Sequence, residues 1–168
     1  MNYAQIRKYD IANGPGVRAS LFVSGCTHNC PGCFNQDYMR FNYGGKWSKQ
    51  VEDEFIEIMT DSQIKGVTIL GGEPMDQIGD DDLLHLVQRI KSEVGKSIWL
   101  YSGYTYEEIL ADKKRREILS FCDVLVDGLF VESLKNLKLR FRGSSNQRII
   151  DISRSMASGA VQMLESYE

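Results

Sequence analysis

Three of the chain's four cysteines lie together, in the run Cys26-Thr27-His28-Asn29-Cys30-Pro31-Gly32-Cys33. The spacing is C-x₃-C-x₂-C, and thiolates are soft ligands suited to zinc or iron–sulfur centres. Structural zinc usually closes its shell with four protein ligands. Only three cysteines are local here. His28 as a fourth ligand would have to bind from between two others in a tight loop. Cys122 stands far along the chain, at the start of an expected strand and so at the wrong rim of the sheet. A cubane [4Fe–4S] cluster normally takes four cysteines, so three would leave one iron open to substrate or cofactor. Spacing alone admits a three-cysteine cluster, structural zinc or a disulfide.

The elements that would carry this loop follow an α/β rhythm. Val17 to Ser24 reads as a buried strand centred on Leu21, Phe22 and Val23, and the cysteines follow it. Ser48 is placed as an N-cap, with Val51, Phe55, Ile58 and Met59 at helical spacing behind it. Val67 to Leu70 is a short apolar run of the kind found in central parallel strands, and it ends in Gly71-Gly72-Glu73-Pro74. A helix is expected from about Asp81 to Val94, then a strand over 97–101 ending in Ser102-Gly103. Thr105 and Glu108 form a capping box for one helix running through Ile109, Leu110 and Ile118. Val124 to Val126 is a further strand, ending in Asp127-Gly128, and Arg148 to Ile150 a last short one.

The glycine-rich segments and the cysteine loop thus all follow strands. They would gather at the strands' carboxyl ends, where α/β sites form. The expected fold is a partial (β/α) barrel of about six parallel strands, since a complete barrel needs about 250 residues. One domain is expected over 1–150, with a C-terminal extension, 151–168, of unknown role.

Composition sets the outer limits. The chain has 168 residues, 42% hydrophobic and 26% charged, which is globular and neither disordered nor collagen-like. Its net charge of −3 argues against a nucleic-acid binder. No apolar run approaches a membrane span, and the amino terminus lacks a signal-peptide core, so a cytoplasmic protein is expected. Three prolines argue against a long flexible linker.

The cysteine triplet followed by Gly71-Gly72-Glu73-Pro74 resembles the radical S-adenosylmethionine (radical SAM) superfamily. Upstream, Asn13-Gly14-Pro15-Gly16-Val17-Arg18 resembles the Gly-Pro-Gly-φ-Arg segment of glycyl-radical activating enzymes. The run from Cys26 to Asn35 resembles the cluster loop of anaerobic (class III) ribonucleotide reductase activating proteins. Trp99 to Tyr104, Asp127 to Phe130 and Arg142 to Arg148 are similar to that family's later motifs. The likeness spans about Tyr3 to Ile150. Gly32 stands where the wider superfamily often has an aromatic residue, and this subfamily commonly carries glycine there.

The resemblance implies that Cys26, Cys30 and Cys33 hold three irons of a [4Fe–4S] cluster and that S-adenosylmethionine chelates the fourth. One electron then cleaves the cofactor to methionine and a 5′-deoxyadenosyl radical. No side-chain general acid or base is implied, because the cofactors carry the chemistry. Gly71, Gly72, Glu73 and Pro74 are implied to meet the methionine ammonium. Gly32 and Phe34, with Cys33, lie against the adenine, and Ser102, Asp127 and Arg142 are further contacts. A bland reading stands beside these, since Gly-Gly, Ser-Gly and Asp-Gly are common turn pairs. Arg18 is expected to pair with a carboxylate near the site, His28 to lie near the cluster, and His85 to pack. Lys113 to Glu117 reads as a solvated helix face.

The implied partners are the large subunit of anaerobic ribonucleotide reductase, whose backbone glycine loses a hydrogen, and a flavodoxin-type electron donor. Neither nucleic acid nor membrane is expected. The rivals are an activase of another glycyl-radical enzyme, a carboxy-deazaguanine synthase, and a non-catalytic zinc-binding interaction module.

Overall fold

The computed structural model describes residues 1–167. Seven strands form one sheet: β1 (Asn2–Asp10), β2 (Arg18–Ser24), β3 (Gly45–Lys46), β4 (Gly66–Gly71), β5 (Ser97–Ser102), β6 (Val124–Asp127) and β7 (Arg148–Asp151). Their order is β3-β1-β2-β4-β5-β6-β7. β2, β4, β5 and β6 run parallel, while β1 pairs antiparallel with β2, β3 with β1, and β7 with β6.

The expected barrel of about six parallel strands is therefore corrected. The sheet is open and mixed, with four parallel strands at its centre. The two ends of the chain account for the difference. β1 leads into β2 through residues 11–17 alone, too few for the crossover that a parallel partner needs. β7 returns beside β6 after a long loop without a crossover helix.

The helices are α1 (Lys49–Ile58), α2 (Asp82–Arg89), α3 (Tyr106–Ala111), α4 (Lys113–Leu119) and α5 (Ile152–Ser158). Ser48 caps α1 by accepting from the Val51 N–H. Thr105 and Glu108 make the expected capping box on α3. The single helix expected after it is two. Asp112 is extended and caps α4 through the Arg115 N–H, so the chain turns where one run was expected. α2 passes into a π turn, Ile90–Val94, stopped by Gly95 at φ +63°.

All five helices cover the same face of the sheet. Alternate strand residues, among them Leu21, Ile69, Leu100 and Leu125, point into this core against Phe55, Leu86, Ile109 and Ile152. Among the described residues no α-helix covers the other strand face. Trp99, Val124, Val126 and Ile149 there form a smaller cluster, joined by Phe141, Leu164 and Tyr167. The last three lie outside the sheet, so the C-terminal segment closes one end of this second face.

Three side chains depart from expectation. Arg18 is buried at the strands' amino ends and donates to Thr68 Oγ1 (2.8 Å) and to the carbonyls of Val67 (2.7 Å) and Ser97 (3.1 Å). None of its hydrogen bonds reaches a carboxylate, and burial pulls its pKa down to about 10. It instead braces the Asn13–Gly16 turn. A Cβ on Gly14 would fall 2.6 Å from Arg18 Cδ. His85 is 62% exposed rather than packed, with Nδ1 2.8 Å from Glu52 Oε1. In the Lys113–Glu117 run, Arg115 turns inward, donating to the Met75 carbonyl and lying 4.0 Å over the Tyr104 ring.

Candidate functional site

The parallel register brings the strand ends level. Val23 lies beside Gly71, and Ser102 beside Asp127. Each strand ends at the same edge, so the segments that follow them meet there.

The cysteine loop is fastened to the end of β4 by its backbone. The Gly72 N–H donates to the Val23 carbonyl and the Glu73 N–H to that of Gly25, both at 2.8 Å. Gly25 and Cys26 donate to the carbonyls of Tyr38 and Met39. Asn35 Nδ2 donates to the Gly71 carbonyl at 3.1 Å, tying the loop's far side to the same point. Both glycines are needed for this contact. Gly71 has φ +112°, and a Cβ there would sit 2.6 Å from the Val23 carbonyl oxygen. A Cβ on Gly72 would sit 2.5 Å from that of Gly25. The pair therefore admits the cysteine loop's own backbone.

Glu73 is almost fully buried and its carboxylate is the centre of the polar network. Oε1 accepts from the Met75 N–H and from Ser102 Oγ, both at 2.8 Å. Oε2 accepts from the Gly103 N–H at 2.6 Å and lies 2.9 Å from His28 Nε2. A buried carboxylate needs such partners, and here each oxygen has two. The hydrogen bond to Glu73 raises the His28 pKa above its ordinary value despite burial. His28 also packs edge-on against Tyr104, with ring centres 4.4 Å apart. Sequence reading placed His28 near the cysteines; the structure joins it to the Gly-Gly-Glu-Pro segment as well.

A cavity of about 560 Å³ opens on the helix-free face. Cys26, Cys30, Cys33, Phe34, Gly71, Gly72, Glu73, Ser102 and Arg142 all line it. Gly32, Pro74 and Asp127 do not. Gly32 turns at φ +69° with the Glu132 carboxylate beside it. Pro74 is buried at the start of a short 3₁₀ turn. Asp127 is occupied elsewhere: it accepts from Arg148 Nε (2.9 Å) and Nη2 (2.5 Å) and from the Tyr106 N–H (2.7 Å). It thereby joins β6 to β7 and to the start of α3. Arg142 donates through Nη1 to the Gln147 carbonyl, while its buried Nε has no partner among the described residues.

Sequence reasoning missed Arg7, Asn13, Phe22, Tyr101 and Gln147, which also line the cavity. Phe22 and Tyr101 follow from alternation once the helix-covered face is known, because they neighbour Leu21 and Leu100 on the opposite face. Arg7 needed β1 to be recognised.

The donor set, three soft thiols, fits an iron–sulfur cluster. All three cysteines are free thiols bordering one space. Among the described residues no three His, Cys, Asp or Glu side chains converge on one ion-sized point. Thiolates that each hold a different iron of a cubane need not converge. Cys122 is not available to them: it is buried in the helix-side core, and its thiol donates to the Ile118 carbonyl. Burial pushes the Cys26 thiol up to about 11 and raises that of Cys30, so ligation by either would release a proton to solvent.

Among the described residues no helix is long and apolar enough to cross a membrane. A family model described as a 4Fe-4S single cluster domain matches residues 12–150. The chain is 46% identical over 150 residues to the anaerobic ribonucleoside-triphosphate reductase-activating protein of Escherichia coli K12, covering 88% of this chain and 96% of that one. The protein of the same name from Vibrio cholerae is 43% identical over 152 residues, covering 89% and 97%. That of Enterobacteria phage T4 is 37% identical over 150 residues, covering 89% and 93%.

Proposed function

The chain belongs to the family of anaerobic ribonucleoside-triphosphate reductase-activating proteins, and on that premise we propose that it is the activase of such a reductase, acting by radical SAM chemistry. One observation carries the reading. The three motif cysteines share a cavity with the Gly-Gly-Glu segment, while the fourth cysteine lies in the core on the other side of the sheet. A cubane held there would have one iron without a protein thiol, and that iron is proposed to take S-adenosylmethionine.

When bound, the two cofactors supply one-electron cleavage of S-adenosylmethionine and a 5′-deoxyadenosyl radical that takes hydrogen from a backbone glycine of the reductase large subunit. The chain's own residues hold and enclose them. Cys26, Cys30 and Cys33 would ligate three irons. Gly72, Glu73 and Ser102 border the cysteine end of the cavity and are assigned to the methionine part. The Glu73 carboxylate is held in place by His28, Ser102 and the Met75 and Gly103 N–H groups, so the segment is set before any ligand arrives. Phe34 is assigned to the adenine. Phe22, Leu70 and Phe130 provide apolar walls that exclude water. Arg142 brings a cation with an unspent donor to the far wall. Gly32, Pro74 and Asp127 are assigned to the frame that holds these groups. A flavodoxin-type protein is the proposed electron donor.

The test is electron paramagnetic resonance on the anaerobically reconstituted, dithionite-reduced protein, with and without S-adenosylmethionine and then with the large subunit. A reduced-cluster signal that changes shape with the cofactor, followed by a glycyl-radical signal on the subunit, is the expected result. Zinc at one per chain with no sulfide would overturn the catalytic reading and favour a zinc-stabilised module. A cluster that cleaves S-adenosylmethionine but leaves the large subunit without a radical would point to another glycyl-radical enzyme or to a synthase.

A further inference from the structure

Residues 128–147 connect β6 to β7 and form the cavity wall facing the cysteines. Loops of this length inside a compact domain are usually functional or disordered, and this one is ordered against the site. Its side chains divide into two sets. Asn136, Leu137 and Leu139 line the cavity, whereas Lys135, Lys138 and Arg140 alternate with them and are exposed. None of these three cations has an ion pair among the described residues.

The charge is concentrated here. Residues 133–147 hold Lys135, Lys138, Arg140 and Arg142 and no acid. The whole chain has a net charge of −3, so these four cations leave the remainder at −7. The same rim is apolar as well as basic. Leu137 is 83% exposed although it borders the cavity, and Phe34, over whose ring Lys135 Nζ lies at 4.7 Å, is 57% exposed. Exposed apolar groups ringed by one sign of charge mark a protein-binding surface.

We propose that this rim, centred on Lys135, Leu137 and Lys138, docks an acidic and apolar segment of the protein substrate beside the mouth of the cavity. The inference rests on the activase reading and names the surface by which the reductase large subunit is held. A polypeptide is favoured over nucleic acid because the cations are separated by leucines and the rest of the chain is strongly acidic. Continuity with the cavity favours the substrate protein over an electron donor. Leu137 and Leu139 belong to both surfaces, so a segment seated on the rim has its backbone next to the space that the cysteines border.

The experiment compares association of the large subunit with the cluster-loaded protein in wild type, Lys135→Glu/Lys138→Glu and Leu137→Ala, at low and high salt. The double reversal is expected to slow association by about tenfold at low salt, with the difference shrinking as salt rises. Leu137→Ala is expected to speed dissociation. Lys138→Glu alone, which touches nothing in the cavity, should leave reductive cleavage of S-adenosylmethionine unchanged in the absence of the subunit. A double reversal that associates and activates like wild type would overturn the rim. So would a wild type that cleaves S-adenosylmethionine yet never binds the subunit. A wild type that binds in a rim-dependent way but forms no glycyl radical would instead sink the activase reading and leave the docking surface standing. Saturable binding of a single-stranded oligonucleotide that competes with the subunit and is lost in the double reversal would replace protein by nucleic acid as the occupant.

Discussion

The two walls of the cavity are built differently. The cysteine wall is held by main-chain hydrogen bonds between Gly25, Val23, Gly72 and Glu73, reinforced by a buried carboxylate with four partners. The opposite wall is held at its base by Asp127 and Arg148 and at its middle mostly by side chains, with main-chain hydrogen bonds across the loop from Asn136 to Gly143 and from Ser145 to Leu134. Tyr101 donates through its hydroxyl to the Phe141 carbonyl at 2.8 Å, and Gln147 bridges Gly128, Gly143 and Ser144. Phe141 sits at φ +58°, with its ring between Trp99 and Tyr167. The difference suits the division of labour proposed here. A cluster needs thiols whose positions are set in advance, whereas a surface that receives another protein benefits from freedom to adjust.

Replacing any one of Cys26, Cys30 or Cys33 by serine is the strongest way to separate the walls. Cluster iron and glycyl-radical formation should be lost, while folding stability changes by less than about 1 kcal/mol, because these thiols lie outside both cores. Iron analysis beside a thermal melt checks both halves. If the apoprotein unfolds, the cysteine wall depends on metal and is not preset.

Gly71→Ala attacks the main-chain clasp directly. The strained φ and the approach to the Val23 carbonyl together should cost about 2–4 kcal/mol. Denaturant unfolding would measure it. Iron loading should fall in parallel, and normal loading with a wild-type midpoint would show that the clasp does not set the cysteines.

Asp127→Ala removes the base of the other wall. It leaves Arg148 and the Tyr106 N–H without their buried acceptor, a loss of about 2 kcal/mol after allowing for the part-exposed guanidinium. Faster tryptic cleavage at Lys135, Lys138 or Arg140 should accompany it, with cluster content retained. Iron lost to the same extent as in Gly71→Ala would mean that the two walls are one cooperative unit.

The smallest effect is expected at Glu107, the outer carboxylate on Arg148. The Arg148 hydrogen bond holds the Glu107 carboxyl below its ordinary value of 4.5. Its contribution is therefore complete above about pH 4.5 and is lost as pH falls through the lowered folded value. Glu107→Gln should cost at most about 0.5 kcal/mol at pH 7 and nothing once the pH lies well below the lowered folded value, since the pair is largely exposed. A larger loss in urea titrations at the two pH values would show that the second wall is held more firmly than its contacts indicate.

The parts legible in sequence are those whose signal is local. The strands at Val67 and Val124 are continuous apolar runs because both faces are covered. The caps at Ser48 and Thr105 depend on residues within one turn. β1 was missed because it lies near the sheet's edge and is only partly buried, so its alternation is weak. Asp112 was read through because a helix break leaves no apolar mark. Arg18 was misplaced because its buried partners are hydroxyls and carbonyls from two other strands, which no pattern announces.

The cysteine spacing and the order of strand-following motifs were determined by sequence alone. Thiol ligation depends on residue type and short loop length, and both are written in the chain. Only the tertiary structure decided that the sheet is open and mixed, that Gly71-Gly72 admits the cysteine loop, and that Asp127 belongs to the frame. It also decided that a leucine-and-lysine loop far along the chain faces the cysteines. Each of these follows from strand pairing and register, which bring distant residues together through contacts that their local sequence does not specify.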